Sequence, residues 1–368
     1  MLTLLIFLAV LAVLVLAHEA GHFIMAKKAG MTVEEFGFGF PPRLWSWKKG
    51  DTAYSINLIP LGGFVKIKGE SGGDRDHPGS FSSKRGAWRF AVLAAGVAMN
   101  LVLAAGLITT GFALGLPSVV DESMPASAKV RDVELRVMTV AKGSPAEHGG
   151  VRSGDVLVSV DGEPFLTAEA ARAYIGAHGD QGVLLVLGRD DGTFFNVSLT
   201  SEDLAAAPGI HGVGVGLVKT GLVSYPLPQA FVQGVLATGT YTKEVVLSFA
   251  GLVKGLFTGT GAGADLSGPV GIAVLTGQAA QLGFTYLLQF TALLSINLAV
   301  VNVLPLPALD GGRIFLLIME KARGQSMRAR SEALIHSIGF VALMALVLVV
   351  TYQDIVKYGA GMLKAISH

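Results

Sequence analysis

Four stretches of the chain are apolar for long enough to cross a bilayer, whose core of about 30 Å takes about 20 helical residues. They cover residues 2–26, 88–116, 284–304 and 334–356. The first has the length of a secretory signal, yet no Lys or Arg precedes it and Lys27 and Lys28 follow it, the reverse of a signal's polarity. A fifth apolar stretch, 229–258, carries Lys243 and Glu244 mid-run, with its apolar residues at helical spacing. That pattern predicts an amphipathic helix lying in the membrane interface rather than a span.

Between these runs the texture changes. Residues 28–87 are polar and Gly-rich, and within them Tyr54, Ile56 and Leu58 alternate before Pro60, Gly62-Gly63 and Phe64. This predicts a short membrane-associated β-hairpin over 54–67. Residues 128–220 read as α+β. Ser144 as N-cap, Pro145 at the first helical position and Glu147 three residues after the cap form a capping box. A strand over 156–160, the turn Asp161-Gly162 and a second hairpin around Asp191-Gly192 follow. The order and spacing of these elements resemble a PDZ domain of the bacterial kind.

Composition agrees with the hydrophobic pattern. Of 368 residues, 51% are hydrophobic and 15% charged, against about 25% charged in an average soluble domain. The net charge of +1 gives no reason to expect nucleic acid, and with no cysteine any metal must be held by His, Asp or Glu. Ten Lys or Arg lie in 27–87 and five in 303–333, which places both segments in the cytoplasm by the positive-inside rule. The first span then ends inside, the second returns outside, 128–220 is extracytoplasmic and the third span comes back in. If 229–258 also crossed, 303–333 would emerge on the opposite side.

"HEAGH", His18 to His22, lies near the end of the first apolar run. On a helix, residues four apart share a face, so both imidazoles can reach one Zn²⁺, with Glu19 beside the attacking water as general base. The bland alternative is two histidines bonded to carbonyls within a helix bundle, at a cost in free energy for polar groups in an apolar run. A catalytic zinc needs a third protein ligand and an open position. One candidate is Asp310 in "NLAVVNVLPLPALDGGR", where Pro305 and Pro307 break the third span; broken backbone at membrane depth borders a buried or wet site. His336 in the fourth span is the other. A metal or proton transporter, or an inactive scaffold binding partners through the PDZ-like domain, would also account for polar groups in these runs.

HEAGH in the first span, "AGVAMN" in the second, the PDZ-like domain and "NVLPLPALDGG" ending the third together resemble the site-2 protease family, in particular its bacterial regulator-of-sigma-E type. The resemblance implies an α-helical polytopic protein of the bacterial inner membrane. It would have about four transmembrane helices, a membrane-associated β-hairpin and one inserted extracytoplasmic PDZ domain. It implies Zn²⁺ as cofactor, Asp310 as third ligand, and hydrolysis of peptide bonds in or near the membrane span of a single-span protein, such as an anti-sigma factor. By their place in the motif, Asn297 and Asn302 correspond to asparagines that hold substrate. The predicted hairpin, with Asn57, Gly62, Gly63 and Phe64, would hold an unwound substrate segment by strand addition. The PDZ domain would bind a carboxyl-terminal peptide or exclude bulky substrates. Gly96 and Asn100 keep the spacing of the family's second-span motif, with Val97 where that motif usually has proline, and "SGPVGIA" (267–273) is another family segment. Close relatives often carry two tandem PDZ domains; this sequence has one.

The domain boundaries expected are 1–27 for the first span, 28–87 for the cytoplasmic loop and 88–116 for the second span. The PDZ-like domain follows over 128–220, the interfacial helix over 229–258, the third span with its broken Asp-bearing segment over 284–320, and the fourth span over 334–356.

Overall fold

A computed structural model describes residues 2–70, 76–121, 124–189, 192–204, 211–258, 267–325 and 329–366. Helix α1 (Leu2–Lys28) is one uninterrupted helix, almost wholly apolar up to HEAGH. It ends where Lys27 and Lys28 meet the negative end of the helix dipole and Gly30 turns the chain at φ 64°. Two long strands follow, β1 (Val33–Lys49) and β2 (Thr52–Ile67), and then α2 (Gly86–Leu114).

β1 and β2 pair antiparallel, and the chain reverses at Gly50 and Asp51. The start of β1 is partnered twice: Phe36 faces Val65 and Tyr54, and Gly37 faces Phe64 and Ser55. The end of β1 returns along the start of β2, with Trp47 opposite Tyr54. Residues 63–67 are left at one margin of the layer, with β1 their strand partner among the described residues. The separate hairpin expected over 54–67 is therefore not what forms. The chain does reverse around Pro60 and Gly62 (φ 143°), since residues 53–56 run along 35–38 in one direction and residues 63–66 run along them in the other, but the two arms flank 35–38 instead of pairing with each other. Behind this layer Val33, Ile67, Phe81, Val92 and Leu93 make a buried apolar cluster with Ala26, Ala29 and Met31.

Residues 110–230 are a compact unit of their own. Its strands are β3 (Leu116–Val119), β4 (Lys129–Val140), β5 (Val156–Val160), β6 (Val183–Gly188) and β7 (Phe194–Leu199), the short pair β8 (Glu202–Asp203) and β9 (His211–Gly212), and β10 (Val215–Ser224). Its helices are α3 (Pro145–His148) and α4 (Ala168–His178). Six of the strands form one antiparallel sheet in the order β3-β10-β4-β5-β6-β7. Val183, Leu185 and Leu187 alternate along β6 and are fully buried, as the two-residue period of a half-covered strand requires. At α3, Ser144 Oγ accepts from the Glu147 N–H at 3.3 Å, while the Glu147 carboxylate accepts from the Gly143 N–H at 2.6 Å. The reciprocal cap thus reaches one residue upstream of the box anticipated. The sheet also extends past 128–220 at both ends, since Leu116–Val119 pairs with residues 220–223 of β10; four residues interrupted by Pro117 give too little alternation to signal a strand.

After this unit come α5 (Leu227–Thr258), α6 (Pro269–Leu282), α7 (Phe284–Val303), α8 (Asp310–Arg323) and α9 (Ala329–Ile366). Among the described residues, four helices are long and apolar enough to cross a membrane: α1, α2, α7 and the Arg330–Lys357 part of α9. The sequence did not announce α6. Its first turn begins at Pro269 and is held by Asp354 of α9, a buried carboxylate that accepts from the Gly271 N–H at 2.7 Å. α6 packs on α1, α7 and α9.

Candidate metal centre

His18 and His22 lie one turn apart on α1 and are both buried. Asp310 opens α8, where a carboxylate meets the positive end of the helix dipole. Its Oδ2 lies 3.0 Å from His18 Nε2 and 3.3 Å from His22 Nε2, and the two imidazole nitrogens are 3.2 Å apart. Among the described residues these three side chains form the one group of His, Asp or Glu with metal-binding geometry.

Each imidazole is held from behind. Nδ1 of His22 donates to the Val92 carbonyl of α2 at 2.8 Å, leaving Nε2 with a free lone pair. Nδ1 of His18 lies 3.1 Å from the side-chain amide of Asn100, which is fully buried on the same helix. A metal-binding His18 carries its proton on Nδ1, so the amide oxygen of Asn100 must face it. That orientation also gives Asn100 Oδ1, otherwise buried without a partner, its hydrogen bond. Ser295 of α7 in turn donates to the Asn100 carbonyl at 2.7 Å. Gly96 lets α2 approach this close: a Cβ there would lie 2.7 Å from Cε1 of His22 and 2.8 Å from Cε1 of His18.

Asp310 is delivered by the break between α7 and α8. Pro305 and Pro307 lie in this non-helical link, and Pro307 rests against Gly339 of α9. Ala308 takes the left-handed conformation at φ 76°, and its N–H donates to Nδ1 of His336 at 3.0 Å. His336, the rival ligand, therefore supports the link two residues before Asp310 and is not part of the metal group.

A cavity of about 510 Å³ opens onto these groups. Glu19, Gly62, Gly63, Phe64 and Asn302 line it together with His18, His22 and Asp310. A Cβ on Gly63 would stand 3.2 Å from Cγ of Glu19, so the strand margin and the carboxylate are in near contact. Two expected substrate contacts lie elsewhere. Asn57 is buried inside the β layer, its amide donating to the Gly39 carbonyl at 3.0 Å, and Asn297 donates to Leu293 of its own helix at 3.0 Å. Glu70 and Arg313, which pair with each other, also line the cavity. Sequence reasoning passed over both. Arg313 was detectable as the residue one helical turn after Asp310, on the same face.

The donor set suits zinc. Ligands about 2.0–2.1 Å from a tetrahedral Zn²⁺ lie about 3.3 Å from one another, close to the separations here, and Asp310 Oδ2 is buried without a hydrogen-bond partner. Comparison with known proteins points the same way. Residues 6–346 match the model of peptidase family M50. A candidate zinc metalloprotease of Clostridium acetobutylicum is 34% identical over 95% of this chain and 97% of its own. The zinc metalloprotease RasP of Geobacillus kaustophilus is 32% identical over 96% and 97% of the two chains, and the regulator of sigma-W protease RasP of Bacillus subtilis 29% identical over 96% and 98%. Among solved structures, the PDZ domain of an SdrC-like protein of Listeria monocytogenes is similar over 24% of this chain and 92% of that one, at 21% identity and a TM-score of 0.21. With the family model spanning nearly the whole sequence, the chain belongs to peptidase family M50, the site-2 proteases, and is a zinc metalloprotease.

Proposed function

We propose that this zinc metalloprotease cleaves a single-span membrane protein within or next to its membrane span, with an anti-sigma factor or similar signalling protein as the substrate class. The observation that carries the reading is the strand margin at 63–67, which borders the same cavity as Glu19, His18, His22 and Asp310. A helical substrate hides its carbonyls in its own hydrogen bonds and must unwind before attack. A strand with an unpaired side can take up the unwound segment through main-chain hydrogen bonds, next to the carboxylate.

His18, His22 and Asp310 are the ligands in this reading. Zinc held there supplies a Lewis acid that makes water acidic near neutral pH. Glu19 takes the proton of the attacking water and passes it to the leaving amide nitrogen. Residues 62–64 align the substrate strand and Asn302 bonds its backbone from the opposite wall. Asn100, Val92 and the Pro305–Pro307 link hold the ligands in place.

The charge bias of 27–87 and 303–333 supports HEAGH near the cytoplasmic side of a bacterial inner membrane, with residues 128–220 extracytoplasmic as a PDZ domain. α5 then lies in the interface. The exposed Leu44, Trp45, Trp47 and Leu58 of the β layer suit contact with lipid at the headgroup level. A groove of about 370 Å³ beside α4 and residues 211–217, with Arg172 at its wall, is the place for a carboxyl-terminal peptide.

The test is cleavage of a model single-span substrate in liposomes by the purified protein and by Glu19→Gln. The variant is expected to retain zinc and lose cleavage. Metal flux without cleavage by the parent protein, or substrate binding without cutting, would replace the protease reading.

A further inference from the structure

A second cavity, of about 720 Å³, lies away from the metal centre, between the start of α2 and the end of α8. Its walls are apolar, with Phe90 on α2 and Leu317 and Ile318 on α8. Phe90 and Ile318 are 46% and 56% exposed, so this face has no cover from the described residues. Arg89 and Glu320 also line the cleft, and they neutralise each other at 3.1 Å.

The rim has a different character. Lys321 is exposed and has no acidic partner among the described residues. Gly86 opens α2 with free space around its Cα, and Arg85 stands just before it. In the first turn of this 29-residue helix the Trp88 N–H donates to the Arg85 carbonyl at 2.9 Å, while the N–H groups of Gly86 and Ala87 have no helical acceptor and belong to the positive end of its dipole. The uncompensated charge at the mouth is therefore positive, next to an apolar wall.

Depth narrows the choice of occupant. α2 is one of the candidate spans and starts at this cleft, and Trp88, 42% exposed, is the residue type that sits at headgroup level. α8 carries the exposed apolar side chains Phe315 and Ile318 and ends in Lys321 and Arg323, like a helix lying in the interface. We infer that the cleft between the first turn of α2 and the last turns of α8 binds an anionic phospholipid. Its phosphate sits between Lys321 and the start of α2, and one acyl chain runs along Phe90 and Ile318. Basic pockets at the edge of membrane helices hold acidic headgroups for the same reason. A free phosphate would use the rim and leave the apolar wall bare. The bound lipid would brace α8, whose other end carries Asp310, against α2.

Native mass spectrometry of the full chain in mild detergent tests this. Phosphatidylglycerol and phosphatidylcholine of equal chain length are offered together, with and without inorganic phosphate. The expected result is preferential retention of phosphatidylglycerol, reduced about fivefold by Lys321→Ala and kept by Lys321→Arg. Ile318→Trp, which fills the cleft without changing charge, should also reduce it. Zinc content, read in the same spectra, shows that each variant is folded. Equal retention of the two lipids, a preference indifferent to both Lys321→Ala and Ile318→Trp, or phosphate adducts without lipid preference would each overturn the proposal.

Discussion

Nδ1 of His18 and the side-chain amide of Asn100 lie 3.1 Å apart, joining α1 to α2 across 82 residues of sequence. A partner of this kind fixes the ring orientation and tautomer of a ligating histidine, and its loss typically costs about 10–100-fold in metal affinity. Asn100→Ala should weaken zinc binding by about that factor, measured by competition with a chelator. Asn100→Asp keeps an oxygen acceptor and should lose less.

Gly96 is fixed by space rather than by backbone conformation. A methyl group there would press on both imidazole rings, and overpacking of this kind costs about 1–3 kcal/mol. Gly96→Ala should lower zinc content and melting temperature together, whereas Gly106→Ala on the same helix, where nothing lies within 4 Å of the added carbon, should change neither.

Gly63 separates substrate alignment from metal binding. A valine there would push on Glu19 and Val15 and displace the strand margin. Misplacement by about 1 Å costs on the order of 10²-fold in rate. Gly63→Val should therefore cut cleavage of a single-span substrate steeply while zinc content stays at the parent level; loss of zinc would show that the residue acts through the metal group instead.

In the 110–230 unit, His211 touches Asp203 through Nδ1 at 3.0 Å and Asp180 through Nε2 at 2.9 Å. Hydrogen bonds to these two carboxylates raise its pKa above the usual imidazole value despite some desolvation. A raised folded-state pKa means that folding favours the protonated ring. The stabilisation is complete below the ordinary imidazole value of about 6.5 and is lost as pH rises through the higher folded value. Once the base-catalysed intrinsic rate is divided out, amide protection at residues 179–181 and 202–203 should be lower at pH 8 than at pH 6, and His211→Gln should remove most of that difference. The groups are solvent-exposed, so the effect is local and small.

The chemistry of the centre could be read in the sequence where it is written in short spacings. His18, Glu19 and His22 occupy one face of one helix, and Asp310 follows two prolines that leave few other shapes for the chain. The β layer was less legible. Gly62-Gly63 after Pro60 has the composition of a turn and the chain does turn there, yet its two arms pair with β1 and not with each other, a long-range fact that no local window contains. α6 was hidden for a related reason: 14 largely apolar residues are too few for a span, and the carboxylate that anchors the helix, Asp354, comes 83 residues after Gly271. Asn57 and Asn297 have side-chain partners that depend on the path of the strand and on the rotation of the helix, neither of which spacing reveals.

The central claim is that His18, His22 and Asp310 hold one zinc ion. X-ray absorption at the zinc edge, recorded on the purified parent protein and on Asp310→Ala, tests it most directly. The parent should show two imidazole nitrogens and carboxylate oxygen at about 2.0–2.2 Å, and the variant should lose zinc or replace that oxygen with solvent at much weaker affinity. An unchanged spectrum and unchanged affinity in Asp310→Ala would contradict the account.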